Sequence, residues 1–190
     1  QPMGFCPPAP LGRDGARRGV RTLPPCLLAS DHRCIVDNAG NVRVGLGYVR
    51  GLGPSAATLI TERERGGPFI DIPDLVSRSG LPHEQVAALV RAGACDTFER
   101  SRRGMLWELG TLTRAPRGNA HGRQLTLALE APPAPELPAE TRFEQVIGAY
   151  ETTGISTGWH MVALLRGVLP PGTRQASELA DTDHGTTVTI

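Results

Sequence analysis

Residues 42–60 read VRVGLGYVRGLGPSAATLI, and this stretch decides the fold of the chain. Apolar residues recur on both sides of the glycine turn at 51–53, at spacings typical of one face of a helix. Pro54 opens the second helix, because the N–H that proline lacks would have had no partner at that position. We therefore predict two short helices joined by a tight turn, the second running to about Glu64.

This turn is a candidate phosphate-binding element. Gly51 and Gly53 can leave backbone N–H groups open to a phosphate, and the positive N-terminus of the second helix points to the same place. Leu52 would fix the turn, and Ala57 would let the helices pack closely, whereas Pro54 offers no N–H. The pattern resembles the helix-hairpin-helix motif, which binds duplex DNA without sequence preference. An ordinary pair of helices joined by a glycine turn is the alternative.

A second, degenerate hairpin follows over 75–90, with predicted helices at 73–78 and 82–91. Asp71 is placed to cap the first of these helices. The turn of this hairpin has Gly-apolar-Pro in place of Gly-apolar-Gly. Paired units of this kind usually pack into one domain, in which one hairpin binds DNA and the other is structural. The tandem arrangement therefore favours DNA binding over an ordinary helical pair. Between the hairpins, the residues at 69–70 (Phe-Ile) are expected to anchor the chain in the core.

The candidate DNA contacts lie at or near the first turn: Arg50, Gly51, Leu52, Gly53, Ser55 and Arg63. The glycines would bind phosphate through their backbone, and Arg50, Arg63 and Arg65 could reach neighbouring phosphates. For Arg63 and Arg65, a solvated helix face is the alternative.

The distribution of charge fits a polyanionic partner. The formal net charge is +1, and all 20 basic residues are arginines. Residues 1–50 hold seven arginines against three acidic residues, and residues 100–127 hold six against one. These basic segments flank an acidic one at 51–99, which favours contact with nucleic acid. Solvated arginine-rich loops are the alternative.

The rest of the sequence predicts more helices, so the fold class is mostly α. Helices are expected at 9–18, after Ser101, from Thr141 to Thr153, at 158–166 and, very short, after Ser177. Residues 20–41 look irregular, and the Thr-, Arg-, Gly- and Pro-rich stretch at 111–139 is typical of a flexible linker. The alternating end at 186–190 is typical of a β-strand that has nothing to pair with.

The sequence predicts no catalytic or metal site. The motifs G-x-x-x-x-G-K-[ST], H-E-x-x-H and G-x-S-x-G are missing. Asp71 and Asp74 flank a helix start, where capping explains them better than metal binding. Cys26, His32 and Cys34 are close in sequence but lack a fourth ligand at a zinc-like spacing. An enzyme complete in this chain is therefore the least favoured function class.

The four cysteines and the N-terminal sequence indicate the cellular compartment of the protein. The cysteines show no disulfide-like spacing, and the start of the chain has neither the charged nor the apolar region of a signal peptide. We therefore expect free thiols in a soluble, cytoplasmic protein.

The order of several segments resembles that of bacterial C-family DNA polymerases, the polymerase III alpha subunits, in their C-terminal part. The segments that carry the resemblance are QPMGF at 1–5, DGARRGV at 14–20, VRVGLGYVRGLG at 42–53, GPFIDIPDLVSRSGLP at 67–82, AGACDTF at 92–98 and TGIS at 153–156. The similarity is collinear over nearly all 190 residues. The GYVRGLG motif at 47–53 and the short linker look most similar to those of the error-prone branch used in translesion synthesis.

The resemblance implies a division of the chain: the end of the fingers region at 1–41, a tandem helix-hairpin-helix DNA-binding domain at 42–110, the linker at 111–139, a helical connector at 140–185 and the start of an OB-fold domain at 186–190. It implies duplex primer–template DNA as a partner, with a sliding clamp and translesion accessory proteins as further candidates. The family's metal-binding aspartates, and the Mg²⁺ they hold, belong to a palm domain upstream of this segment. By itself the chain is therefore expected to polymerise nothing.

Some positions depart from the family pattern, among them Cys6, Gly15, the stretch 25–28 and Met161. Residues 25–28 lack the Asp and Asn that usually form a turn there, so we expect a poorly held fingers segment. Two alternatives stay open: a truncated, non-catalytic remnant of such a polymerase, and a helical scaffold that docks proteins without binding DNA.

Overall fold

The computed structural model describes residues 8–114, 135–158 and 161–189, and this part of the chain is mostly helical, which confirms the predicted fold class. Its α-helices are α1 (Pro8–Arg17), α2 (Ser55–Gly66), α3 (Ile72–Ser79), α4 (His83–Arg91), α5 (Arg102–Arg114), α6 (Arg142–Thr153) and α7 (Met161–Leu165). Short 3-10 turns lie at Leu46–Tyr48, Asp96–Phe98, Arg166–Val168 and Ala176–Asp181.

A small sheet precedes the first hairpin. Its strands, β1 (Thr22–Leu23), β2 (Ile35–Val36) and β3 (Val42–Arg43), have the spatial order β1-β3-β2, with β3 parallel to β1 and antiparallel to β2. The sequence predicted irregular chain here, because strands of two residues are too short to show an alternating pattern. Since β3 leads into the hairpin, the sheet fixes the point from which the chain enters it.

One hydrophobic core joins helices α2 to α5 and the 3-10 turn before them. Its largest fully buried side chains are Leu27, Leu46, Leu52, Leu59, Phe69, Ile72, Leu75, Leu89, Met105 and Leu109. Burying a side chain of this size contributes about 1.5–3 kcal/mol relative to leaving it exposed. Both predicted hairpins therefore belong to one packed unit rather than to two independent ones.

Local capping sets the ends of α3 and α6 where the sequence predicted them. The Asp71 carboxylate accepts a hydrogen bond from the Asp74 N–H at 2.7 Å. Thr141 and Glu144 form a reciprocal capping box at the start of α6, and Gly154 ends this helix in the left-handed conformation with φ of 70°. These ends depend on residues close together in sequence, which is why the sequence shows them.

The first hairpin differs from the prediction, because a single 3-10 turn, Leu46–Tyr48, stands where a helix was expected. The backbone N–H groups of Leu46 and Gly47 donate to the carbonyls of Asp31 and His32, at 2.8 and 3.0 Å. A Cβ at Gly47 would lie 2.8 Å from the His32 carbonyl oxygen. The neighbouring chain at 31–33 therefore binds backbone N–H groups that a longer helix would use for its own hydrogen bonds.

Two apolar assignments fall on neighbouring residues instead. Ala57, predicted at the helix contact, is exposed, and Ala56 is the fully buried residue. Of the expected anchors, Phe69 is 2% exposed and Ile70 is 74% exposed. Ala56 and Leu59, three residues apart, form the buried face of α2, so Ala57 lies outside that face.

The stretch at 25–30 is firmly held, contrary to the expectation of a poorly held segment. Leu27 is buried in the core, and its N–H donates to the Ala94 carbonyl at 2.8 Å. The buried Ser30 hydroxyl accepts from the Cys26 N–H at 2.9 Å and donates to the Val44 carbonyl at 2.7 Å. Ser30 thus supplies a turn-forming side chain in a stretch that lacks Asp and Asn.

The C-terminal part follows the prediction less closely. The helix expected at 158–166 is formed over Met161–Leu165 and continues as a 3-10 turn. The strand expected at 186–190 is not formed over 186–189, the described part of it, because a strand needs a partner strand for its backbone groups. Helix α5 extends into the predicted linker as far as Arg114, and residues 115–134 lie outside the described part.

Candidate nucleic-acid interface

The predicted phosphate-binding turn has a backbone that requires glycine. Gly51 and Gly53 have positive φ angles of 79° and 46°, which residues with a side chain rarely adopt. A Cβ placed on either residue would meet no other atom within 4 Å. The conformation, rather than crowding, therefore demands glycine, and the space in front of the turn is open.

The backbone donors of the turn divide into bonded and unbonded groups. The Leu52 N–H donates to the Val49 carbonyl at 3.1 Å, whereas the N–H groups of Gly51 and Gly53 have no acceptor among the described residues. Both glycines are exposed. Two unpaired amides that flank a single residue can donate to one anion.

The inner side of the turn is fixed by three contacts. The Leu52 side chain is fully buried in the core. The Gln85 side-chain amide, on α4, donates to the Gly51 carbonyl at 2.9 Å. The Arg50 N–H donates to the Thr152 carbonyl, at the end of α6, at 2.7 Å. The turn is thus preorganised, so an anion that binds it would have little ordering to impose.

The start of α2 offers fewer donors than the sequence suggested. The N–H groups of its first three residues donate to the carbonyls of residues 52–54 at 2.9–3.3 Å. These amides are therefore engaged, unlike those at a free helix N-terminus. Ser55 is the first residue of α2, and its side-chain hydroxyl is a polar group next to the turn.

Arg50 is the predicted arginine that lies at the turn. Its side chain is exposed, and its Nη2 atom lies 3.6 Å from the position that a Cβ on Gly154 would occupy. The guanidinium thus sits beside the C-terminus of α6, where a helix favours a positive charge.

Arg63, predicted as a DNA contact with a solvated helix face as the alternative, is engaged within the protein. Its Nη1 donates to the carbonyls of Leu27 and Ser30, at 3.0 and 2.8 Å, and its side chain is half-buried. Arg63 therefore fastens the segment before the sheet to α2. Arg65 pairs with Glu62 at 3.4 Å and lies ten residues past the start of α2, which is about 15 Å along a helix.

The structure adds two residues to the surroundings of the hairpin that the sequence analysis missed. His32 and Arg33 are exposed and lie against the 3-10 turn, because a Cβ at Gly45 would collide with the Arg33 carbonyl and one at Gly47 would approach the His32 ring. The only sequence feature that could have indicated this contact is the pair of glycines at 45 and 47. They show a close approach of two chain segments, which a sequence alone does not assign to a partner.

Within the described residues, the acidic and cysteine side chains form no metal-binding arrangement. Over 8–114, 135–158 and 161–189, no group of three or more His, Cys, Asp or Glu residues is placed to hold a metal ion. The Asp74 carboxylate accepts hydrogen bonds from the Arg78 guanidinium, at 3.1 Å, and from the Ile70 N–H. Burial raises the pKa of the Cys95 thiol well above its ordinary value.

No helix in the part of the chain that the structure describes combines the length and apolar character of a membrane span.

These features are those of a helix-hairpin-helix motif. The family model of the helix-hairpin-helix motif matches residues 19–105, which include both hairpins and the sheet that precedes them. The match confirms the motif that the glycine turn and its flanking apolar residues indicated.

More specifically, the whole chain is homologous to a segment of error-prone DNA polymerases. It is 38% identical over 195 residues to the "Error-prone DNA polymerase" of Mycobacterium tuberculosis and 36% identical over 196 residues to that of Corynebacterium glutamicum, each match covering 100% of this chain. The protein of the same name from Burkholderia pseudomallei is 35% identical over 178 residues, or 89% of the chain. The chain spans only 16–17% of the length of these curated relatives. The predicted resemblance is thus confirmed.

Proposed function

We propose that this chain is the duplex-DNA-binding segment of an error-prone DNA polymerase, and that the amides of Gly51 and Gly53 bind a backbone phosphate. The observation that carries the proposal is the pair of exposed N–H groups that have no acceptor in the described part of the chain, on a turn whose inner side is fixed. Backbone phosphates are the same at every base pair, so such a contact grips duplex DNA of any sequence. This is what a polymerase needs while it moves along primer–template DNA.

The proposal assigns no chemistry to the segment itself. Nucleotidyl transfer would depend on Mg²⁺ held by aspartates of a palm domain elsewhere in the polymerase, and this segment alone would not polymerise DNA. We propose that this polymerase works in the cytoplasm and synthesises DNA across damaged template positions. A sliding clamp and translesion accessory proteins would be its further partners.

Titration of a fluorescent duplex with the purified chain, over a salt series, tests the proposal. We expect affinity at low salt that falls linearly with the logarithm of the salt concentration, since cations released from DNA drive such binding. Arg50→Ala should make the slope shallower by about 0.9, the value for one lost phosphate contact. Arg65→Ala is the matched control and should leave the slope unchanged, because its exposed guanidinium lies at the far end of α2.

A chain that folds but shows no duplex affinity at low salt would contradict the proposal. That result would favour the alternative in which the hairpins form a scaffold for docking proteins. If the slopes of Arg50→Ala and Arg65→Ala both equal that of the parent chain, DNA binds at another surface.

A further inference from the structure

Helix α6 lies outside the matched helix-hairpin-helix region, yet its N-terminal end is attached to it. The Arg103 guanidinium, on α5, donates to the Glu144 carboxylate at 2.7 Å and to the Pro138 carbonyl at 2.9 Å. Hydrogen bonds from the Thr141 N–H and hydroxyl, together with Arg103, lower the pKa of Glu144. The first turn of α6 is therefore fixed to α5.

The middle of α6 packs closely on the end of α4. Gly148 faces the last residue of α4, and a Cβ on Gly148 would lie 3.4 Å from the Arg91 carbonyl oxygen. Alanine would just fit at this distance, whereas a longer side chain would force the helices apart. On either side of Gly148, Val146 and Ala149 are buried. Gly148 thus sets the spacing between α4 and α6.

The C-terminal end of α6 contacts the residue that precedes the phosphate-binding turn. The Thr152 carbonyl accepts the Arg50 N–H at 2.7 Å, and the Arg50 guanidinium lies beside Gly154. Carbonyls in the last turn of a helix have no partner within the helix, so this hydrogen bond satisfies a group that would otherwise need one. The backbone of Arg50 is therefore held by α6, and its side chain lies next to the residue that ends this helix.

From these three contacts we infer that α6 is a positioning element for DNA binding: it holds Arg50, and with it the Gly51–Gly53 turn, in the geometry that receives a phosphate. Gly148 and Thr152 are the positioning residues. The inference rests on the proposed function. Because binding linkage is reciprocal, duplex DNA at the turn would in return stabilise the docking of α6 against α4.

Gly148→Leu in the whole chain tests the inference, with hydrogen exchange of the Arg50 amide and duplex affinity as readouts. Loss of one backbone hydrogen bond corresponds to about a three- to tenfold change, so we expect Arg50 exchange to speed up and duplex affinity to fall by about that factor. Gly148→Ala should behave like the parent chain. Gly110→Leu is the matched control, because a Cβ on this α5 glycine meets nothing within 4 Å.

The outcomes separate this inference from the proposed function. If Gly148→Leu exchanges and binds like Gly110→Leu, α6 does not position the turn. Faster exchange at Arg50 with unchanged affinity would also overturn the positioning role. If core amides such as that of Leu89 lose protection as well, Gly148→Leu has unfolded the chain, and Arg103→Ala, which frees only the start of α6, then has to show the same two changes. An absence of duplex affinity in the parent chain would overturn the proposed function first.

Discussion

Gly51→Val and Gly53→Val are expected to weaken duplex binding by about tenfold or more. Hydrogen bonds to a charged acceptor are worth about 1.5–3 kcal/mol each, and the loss of 1.4 kcal/mol is a factor of ten. A valine at a positive φ would drive the backbone out of the left-handed region and turn the N–H away. Its side chain would also fill the open space in front of the turn. Fluorescence anisotropy with a labelled duplex at low salt measures the loss.

Gly40→Val controls for backbone strain in this experiment. Gly40 has a φ of 79°, as Gly51 does, and a Cβ placed on it also meets no atom within 4 Å. It lies in the turn between β2 and β3, so valine there introduces similar strain at a different place. Equal loss of duplex affinity in Gly40→Val and Gly51→Val would show that strain, and not a phosphate contact, is responsible.

Leu52→Ala is expected to lower the free energy of unfolding by about 2–5 kcal/mol, as truncation of a buried leucine does. Leu52 is fully buried, and it connects the turn to the core that α2 to α5 share. Truncation leaves a cavity beneath the turn, so affinity for duplex DNA should fall together with stability. Urea unfolding followed by circular dichroism measures the stability change.

Ile70→Ala is the matched control for the truncation. Ile70 is 74% exposed, so the loss of its side chain should change the free energy of unfolding by no more than about 0.5 kcal/mol. A similar loss in both variants would mean that the turn does not pack on the core as the structure has it.

The elements that the sequence predicted well are those set by neighbouring residues. The Asp71 cap and the bounds of the helix expected from Thr141 to Thr153 each depend on contacts within four residues along the chain. The glycine turn belongs to the same class, because its positive φ angles are a local requirement. Such features can be read from one sequence without knowledge of the fold.

The elements that it missed depend on contacts between distant segments. The Arg63 guanidinium binds the carbonyls of Leu27 and Ser30, more than 30 residues earlier in the chain, and no local pattern distinguishes such an arginine from a solvated one. The Thr152 carbonyl meets the Arg50 N–H across about 100 residues. The first helix of the hairpin is only a 3-10 turn for the same reason, because its N–H groups donate to carbonyls in the chain at 31–33.

Nuclear magnetic resonance of the ¹⁵N-labelled chain, titrated with duplex DNA, tests the central claim most directly. The account predicts that the amide protons of Gly51 and Gly53 move downfield as they bond to a phosphate, and that their exchange with water slows on saturation. The Gly40 amide, which already donates to the Asp37 carbonyl at 3.0 Å, should stay unchanged. Saturation with DNA while the Gly51 and Gly53 signals remain in place would contradict the account.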